Sequence, residues 1–380
     1  MNILVLNNTS DLYGGSRILS IVVSILAERK HRPIVILSEN GPLTAELDKL
    51  GVEWRIIRLG ILRRKYLSLS GILNRISVTS KAWKALNKVV DQEKIDLIYS
   101  NTTGVFIGAF LAKRRKIKHI WHVHEIIKKP AAFTRILGYL LGKYSDLVIV
   151  VSDAVKNHWK NHINGAPIER IYNGINTVPF EQKQGELKQE LNIPKDALLI
   201  LMIGRVNHWK GHHYFIDIAQ LIHQQYKNVH FVLAGDAYPG NEHLVEKLEN
   251  RINNLSFKQK VQYIGYREDI PNLLSSADLF VLPSTQPDPF PTVILEAMAS
   301  STCVAATAHG GALEMIDPHK TGIHIPFDDA VNAAHEIGLI LNEVTLKHLG
   351  ALGRDRIQQH FSLEAFKNNI IEAFETVNRK

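Results

Sequence analysis

Leu279-Phe280-Val281-Leu282-Pro283-Ser284-Thr285-Gln286-Pro287-Asp288-Pro289-Phe290-Pro291-Thr292-Val293-Ile294-Leu295-Glu296-Ala297-Met298-Ala299 holds a strand, a loop and a helix in one run. The four apolar residues at its start have the length and composition of a strand buried on both faces. Prolines 287, 289 and 291 forbid helix up to Pro291, and the residues after it are good helix formers with proline at the entry. Asp288 therefore stands in the loop at the helix mouth, and Glu296 lies within the first two turns. A carboxylate in so apolar a helix must be paired or liganded. A ribose diol is one such partner, and an internal salt bridge is the other.

The same unit of apolar run, polar loop and helical pattern recurs on both sides of this stretch. Leu198–Ile203, Val229–Ala234, Val261–Ile264 and Cys303–Ala306 accompany it in the second half of the chain. Ile3–Leu6, Pro33–Leu37, Glu53–Arg58, Leu97–Tyr99, Lys118–Val123 and Leu147–Val151 form an equivalent set in the first, with helical stretches such as Arg17–Glu28 and Trp83–Gln92 between them. Strands alternating with helices predict parallel sheets covered on both faces. Two such sets predict an α/β chain of two Rossmann-like, doubly wound domains, 1–178 and 186–362. A polar, non-periodic joint lies near Asn173–Gly185. The pattern over 363–380 predicts a terminal helix that packs on either domain. Ligands of open parallel sheets sit at the carboxyl ends of the strands, so the expected active site is a cleft between the domains.

Composition narrows the class. The 380 residues are 45% hydrophobic and 22% charged, as in globular proteins that bury a sizeable core. No apolar run is long enough for a membrane span, and Met-Asn-Ile-Leu-Val-Leu-Asn enters directly as a strand without the basic start of a secretory signal. The single cysteine, Cys303, excludes an intramolecular disulfide framework. A cytoplasmic location is expected. The net charge of +8 is uneven: residues 1–176 carry 27 Lys and Arg against 13 Asp and Glu, the rest 18 against 24. A basic half attracts nucleic acid, an anionic membrane or an anionic substrate, or is simply a solvated face. No RNP-like aromatic pattern or zinc-finger spacing is present, which argues against nucleic acid.

Further loops carry chemistry at predicted strand ends. Asn7-Asn8-Thr9-Ser10-Asp11-Leu12-Tyr13-Gly14-Gly15-Ser16-Arg17 leads into a helix, and glycines there suit either close backbone approach to a phosphate or a plain turn. His122-Val123-His124-Glu125 sets two histidines on one face. They suit a polar contact to a sugar or a structural role; zinc would need a further ligand that is not identifiable. Gly204-Arg205-Val206-Asn207-His208-Trp209-Lys210-Gly211 presents a planar guanidinium and a point-charge ammonium on a glycine-framed loop, a pair able to hold a diphosphate. His309-Gly310-Gly311-Ala312-Leu313-Glu314 adds another glycine pair before a helical turn.

Taken together, Gly14-Gly15, Gly204-Arg205 with Lys210-Gly211, Asp288 separated by seven residues from Glu296-Ala-Met-Ala, and Gly310-Gly311 before Glu314 resemble family 4 of the retaining glycosyltransferases, which have the GT-B fold. Val151-Ser152-Asp153, Tyr172-Asn173-Gly174-Ile175 and Gly265-Tyr266-Arg267-Glu268-Asp269 before Ala277-Asp278 extend the likeness over the whole chain. The resemblance implies that Arg205 and Lys210 bind the donor diphosphate and Glu296 the ribose hydroxyls. It implies that Gly14 and Gly15 admit phosphate and acceptor, that His124 contacts the donor sugar, and that the backbone around Tyr266 lies near the base. On the same resemblance Asp288, Phe290, Thr292 and Val293 are expected to complete the donor site, and His124, Arg205, Lys210 and Asp288 are the catalytic candidates. Three departures bear on the donor sugar: Asp288 is one methylene shorter than the usual glutamate, Phe290-Pro291 replaces Phe-Gly, and Ser300-Ser301-Thr302-Cys303 replaces a small-Gly-x-Pro segment.

Glycosyl transfer builds negative charge on the departing diphosphate, which two cations and helix N-termini stabilise. No Asp-x-Asp occurs, so no metal cofactor is expected. The resemblance implies a nucleotide-sugar as substrate, UDP- or GDP-linked, and a glycan or lipid-linked saccharide as acceptor. An epimerase or phosphorylase on the same architecture is the enzymatic alternative. A non-catalytic basic module is the other, resting on Arg63-Arg64-Lys65-Tyr66 through Lys81–Lys88 and on Lys113-Arg114-Arg115-Lys116. Within the enzyme reading these segments dock the chain on an anionic cytoplasmic leaflet.

Overall fold

The computed structural model describes residues 1–12, 14–60, 69–181 and 185–379, with backbone alone for 69–73. Arg63, Arg64, Lys65 and Tyr66 lie outside the described residues, as do 182–184 of the polar joint. The chain divides into two compact units, Met1–Asn173 with Glu364–Lys380, and Gly174–Leu363.

The first unit runs β1 (Asn2–Leu6), α1 (Gly14–Glu28), β2 (Arg32–Leu37), α2 (Pro42–Lys49), β3 (Glu53–Ile56), α3 (Leu69–Glu93), β4 (Leu97–Asn101), α4 (Phe106–Arg115), β5 (Lys118–Val123), α5 (Ala131–Tyr144), β6 (Leu147–Val150), α6 (Asp153–Trp159) and β7 (Ile168–Arg170). Its sheet has the order β3-β2-β1-β4-β5-β6-β7. All pairings are parallel, with Leu4 opposite Ile34 on one side and Ile98 on the other. Residues 3–6 of β1 and 34–37 of β2 are fully buried, which is why these strands read as continuous apolar runs instead of alternating ones.

The second unit contains α7 (Leu187–Glu190), β8 (Leu198–Ile203), α8 (His212–Gln225), β9 (Val229–Ala234), α9 (His243–Asn253), β10 (Val261–Tyr263), α10 (Ile270–Ser276), β11 (Leu279–Leu282), α11 (Thr292–Ala299), β12 (Cys303–Thr307), α12 (Ala312–Met315), β13 (Ile323–Ile325), α13 (Ala330–Ile340) and α14 (Glu343–His360). Its order, β10-β9-β8-β11-β12-β13, repeats that of the first six strands of the other sheet. Residues 174–178 belong with this unit, where Ile175 N–H donates to Phe361 O at 3.3 Å.

The last helix, α15 (Leu363–Arg379), returns to the first unit. It buries Phe366, Ile370, Ile371, Phe374 and Val377, one stripe at helical spacing. The Phe374 ring lies 5.5 Å from that of Tyr99 on β4, and Lys367 pairs with Glu28 on α1.

Two strands were not evident in the sequence. β7 and β13 are three-residue edge strands, too short to show a period. The helix expected over Trp83–Gln92 begins at Leu69, and no residue from Asn74 to Lys81 is buried. That first part is carried by helix propagation and lacks an apolar stripe. α11 closes in a Schellman turn: Thr302 N–H donates to Ala297 O (3.0 Å) and Ser301 N–H to Met298 O (3.0 Å). Ser301 therefore has φ 58°, the left-handed conformation that glycine adopts without strain.

Candidate active site

β8 and β11 are neighbours where the strand order of the second sheet reverses, the point at which open parallel sheets collect ligands. Beyond β8, Gly204 N–H donates to Ala234 O and Val206 N–H to Asp236 O, both at 2.9 Å, holding the loop along the end of β9. The Arg205 guanidinium carbon stands 5.1 Å from the centre of the Tyr238 ring, a cation–π contact that limits where its planar fork rests. Asn207 Oδ1 accepts from Trp209 N–H (3.0 Å) and Lys210 N–H (2.8 Å), an Asx turn that fixes the exit of Lys210. Gly211 follows with φ 84°, and a Cβ there would meet Pro283 O at 1.8 Å. Only glycine lets this loop pass the end of β11.

The loop after β11 brings the acids. Lys210 Nζ lies 2.5 Å from Asp288 Oδ2, with 15% and 12% of the two side chains exposed, and 4.8 Å from the Trp209 ring centre. Asp288 is itself seated by the glycine pair after β12. Gly311 N–H donates to its carbonyl at 2.8 Å, and Gly310, at φ 63°, passes so close that a Cβ would come within 2.2 Å of the same oxygen. That pair carries the acidic loop, a packing reason for two glycines that the sequence alone did not give. Phe290 is buried, its ring 5.9 Å from that of Phe361, so what it offers a ligand is backbone.

α11 begins at Thr292, and the first N–H groups of a helix have no intrahelical partner and form its positive end. Thr292 and Val293 supply them, both half-buried. Glu296 sits one turn on, only 5% exposed. Helical side chains lean toward the N-terminus, so its carboxylate is carried back over positions 292 and 293. Tyr266, on the loop after β10, is exposed, and Gly235 N–H ties that loop to the end of β9 through Gly265 O (2.7 Å). The second unit thus gathers Arg205, Lys210, Asp288, Thr292, Val293 and Glu296 at the carboxyl ends of two adjacent central strands.

The first unit places Gly14, Gly15 and His124 at the ends of β1 and β5. A Cβ on Gly15 would lie 3.4 Å from His124 Cδ2, so the glycine backbone packs directly on the imidazole edge. His124 Nε2 lies 2.8 Å from Asn101 Oδ1. Asn101 in turn donates from Nδ2 to Asn7 Oδ1 (2.9 Å) and Gly15 O (3.1 Å). His122 and His124 share one face with ring centres 4.2 Å apart. The two rings are held apart chemically, since His122 Nδ1 faces Tyr99 OH at 2.6 Å while His124 faces Asn101. Among the described residues no group of three or more His, Cys, Asp or Glu is arranged to hold a metal ion. Burial lowers the His124 pKa to about 4 and that of His122 well below the usual histidine value. Glu125 accepts from Thr103 N–H (3.2 Å) and His124 N–H (3.1 Å), yet burial outweighs these bonds and raises its pKa to about 7.

Residues 14–178 match the family described as Glycosyltransferase Family 4, and residues 183–355 match Glycosyl transferases group 1. The chain belongs to glycosyltransferase family 4. This glycosyltransferase has the two-domain α/β GT-B fold. It superposes on Anabaena Alr3699/HepE, solved in complex with UDP and glucose, with TM-score 0.85 over 99% of both chains at 24% identity. The UDP-Gal:alpha-D-GlcNAc-diphosphoundecaprenol alpha-1,3-galactosyltransferase of Escherichia coli is 24% identical over 87% of this chain and 85% of that one. An uncharacterized glycosyltransferase of Methanocaldococcus jannaschii is 26% identical, the match spanning 62% of this chain and 64% of its relative.

Asn7, Asn101, Asn207 and Tyr238 of the glycosyltransferase were not singled out from sequence. Asn101 had a faint signal, a polar Ser-Asn-Thr-Thr run closing a strand beside the first one. Asn7, Asn207 and Tyr238 hold their neighbours through particular contacts that no spacing rule encodes. The basic stretch 81–88 lies on α3, where Lys81, Lys84 and Lys88 are exposed. Its apolar residues Ala82, Leu86, Val89 and Val90 are buried in the core of the first unit, so they are not available to insert into a bilayer. Among the described residues no helix is long and apolar enough to cross a membrane.

Proposed function

We propose that this glycosyltransferase moves a hexose from a nucleoside-diphosphate sugar to a glycan or lipid-linked saccharide, with retention at the anomeric carbon and no required metal. The observation that carries the reading is the grouping of Arg205, Lys210 and Glu296 at the ends of β8 and β11. Two cations meet the pyrophosphate there, and a helix-borne carboxylate accepts from the ribose hydroxyls. As the glycosidic bond breaks, charge grows on the diphosphate, and Arg205, Lys210 and the N–H groups opening α11 are fixed to receive it. The leaving phosphate oxygen takes the acceptor proton as the acceptor attacks from the same face. Asp288 holds the Lys210 ammonium in place meanwhile. Gly14 and Gly15 admit the acceptor, and His124 meets a hydroxyl of the transferred sugar.

A UDP-linked donor is favoured by the likeness to HepE, which binds UDP. A lipid-linked acceptor, and a role in cell-surface polysaccharide or glycoconjugate synthesis, are favoured by the likeness to the Escherichia coli galactosyltransferase. The enzyme works in the cytoplasm, and its exposed basic residues at 81–88 and 113–116 approach an anionic leaflet by charge, without insertion. Liposome sedimentation checks this last point, since binding insensitive to salt would refute it.

Nucleoside-diphosphate release with and without acceptor, after a thermal-shift screen of UDP- and GDP-sugars, tests the central reading. Stabilisation by a nucleotide sugar and acceptor-dependent release are expected. Release of free sugar phosphate, or interconversion of the donor without acceptor, would assign a phosphorylase or epimerase instead.

A further inference from the structure

Three side chains from three strand ends form a continuous hydrogen-bonded chain of amides and imidazole beside the first glycine loop. Asn7 follows β1, Asn101 ends β4 and His124 follows β5. Their hydrogen-bond senses are fixed by chemistry, independently of how each amide is drawn. Asn7 reaches Thr9 O at 2.7 Å and Asn101 reaches Gly15 O at 3.1 Å. A backbone carbonyl only accepts, so both asparagines must present NH₂ to these oxygens. Asn7 then turns its oxygen to the Asn101 amide at 2.9 Å, and Asn101 turns its oxygen to His124 Nε2 at 2.8 Å. An amide oxygen cannot donate, so the proton between Asn101 and His124 belongs to Nε2.

The rest of the ring agrees. Gly15 packs against the Cδ2 edge, next to Nε2, and His122 covers one face. Nδ1 lies across the ring from that packed edge, and among the described residues nothing hydrogen-bonds to it. Burial opposes a second proton, so the ring stays neutral near pH 7.

We propose that Asn101 is a positioning residue that locks His124 with its proton on Nε2, so that Nδ1 presents a lone pair that accepts from a hydroxyl of the donor sugar. This deepens the functional reading above and rests on it for the identity of the ligand. The Asn101–Gly15 bond also couples the imidazole to the glycine loop, so ring and loop keep one spacing.

The test uses the full chain labelled with ¹⁵N-histidine, with the His124 signals assigned by their loss in His124→Gln. The wild-type ring should show a protonated Nε2 and a bare Nδ1. UDP-glucose should shift Nδ1 where UDP alone does not. Asn101→Ala should convert the ring to a tautomer mixture and lower kcat about 2- to 10-fold, the size of one hydrogen bond, with a smaller change in donor KM. A wild-type ring protonated on Nδ1 would overturn the proposal, as would an Asn101→Ala variant with an unchanged tautomer or unchanged kcat. The tautomer is read without turnover, so a protein that transfers no sugar would sink the functional reading while this arm still decides the role of Asn101.

Discussion

Lys210 and Asp288 form an ion pair inside the region assigned to the diphosphate, and this makes the cost of losing the lysine larger than the loss of one contact. Lys210→Ala removes a charge-assisted bond to phosphate worth about 1.5–3 kcal/mol. It also leaves the Asp288 carboxylate, 12% exposed and previously 2.5 Å from its cation, facing an incoming anion. Two unit charges 4 Å apart at an effective dielectric of 20 interact by about 4 kcal/mol. A carboxylate able to rotate toward water retains a fraction of that, on the order of 1 kcal/mol. The single variant should therefore lose roughly 2.5–4 kcal/mol of nucleoside-diphosphate binding. Lys210→Ala with Asp288→Asn should bind about 5-fold more tightly than Lys210→Ala alone, the equivalent of about 1 kcal/mol. Calorimetric titration with UDP and GDP is the assay, because omitting the sugar removes any contact Asp288 makes to it. Losses that simply add in the double variant, or full affinity in Lys210→Ala, would refute the reasoning.

Other consequences are equally direct. Glu296→Ala should weaken UDP or GDP binding by about 1.5–3 kcal/mol; a lowered melting temperature with unchanged affinity would make the residue structural instead. Ser301→Gly should stabilise the second unit, because relief of left-handed strain, about 1–2 kcal/mol, outweighs the added freedom of the unfolded chain, about 0.5–1 kcal/mol. The melting temperature should rise by about 1–4 °C, and a fall would contradict the role given to this turn. Burial lowers His119, His124 and His212 to about 4. The unfolded chain binds protons at these sites from about pH 6.5 downward while the native state does not, so they subtract stability as pH falls from about 6.5 to 4. Glu125, raised to about 7, acts oppositely, favouring the native state as pH falls from about 7 to 4.5. Urea midpoints across this range should thus drop more steeply in Glu125→Gln than in the wild type, and equal slopes would remove Glu125 from the account.

How much of this was legible in the sequence depended on the range of the interaction. Central strands such as Ile3–Leu6 and Leu198–Ile203 are apolar along their whole length because both faces are covered, and that signal is local. Edge strands β7 and β13 carry three residues each and announce nothing. Charged residues at strand ends, Arg205, Lys210 and Glu296, stood out because glycines and prolines punctuate the chain beside them. Asn101 did not, because its meaning lies in Asn7, Gly15 and His124, which meet it only after the sheet has formed. The Gly310-Gly311 pair was visible, but its purpose, seating the Asp288 carbonyl, depends on a contact between loops of two different strands.

The return of α15 to the first unit has a bearing on how the molecule is made. The second unit is a continuous segment, Gly174–Leu363, and has all its parts as soon as that segment leaves the ribosome. The amino-terminal unit, synthesised earlier, still lacks Phe366, Ile370 and Phe374, and Tyr99 waits without its aromatic neighbour. Completion of the older half therefore trails that of the younger. A nascent chain stalled before Phe374 would carry an unsealed apolar seam, the kind of surface that chaperones hold and proteases find.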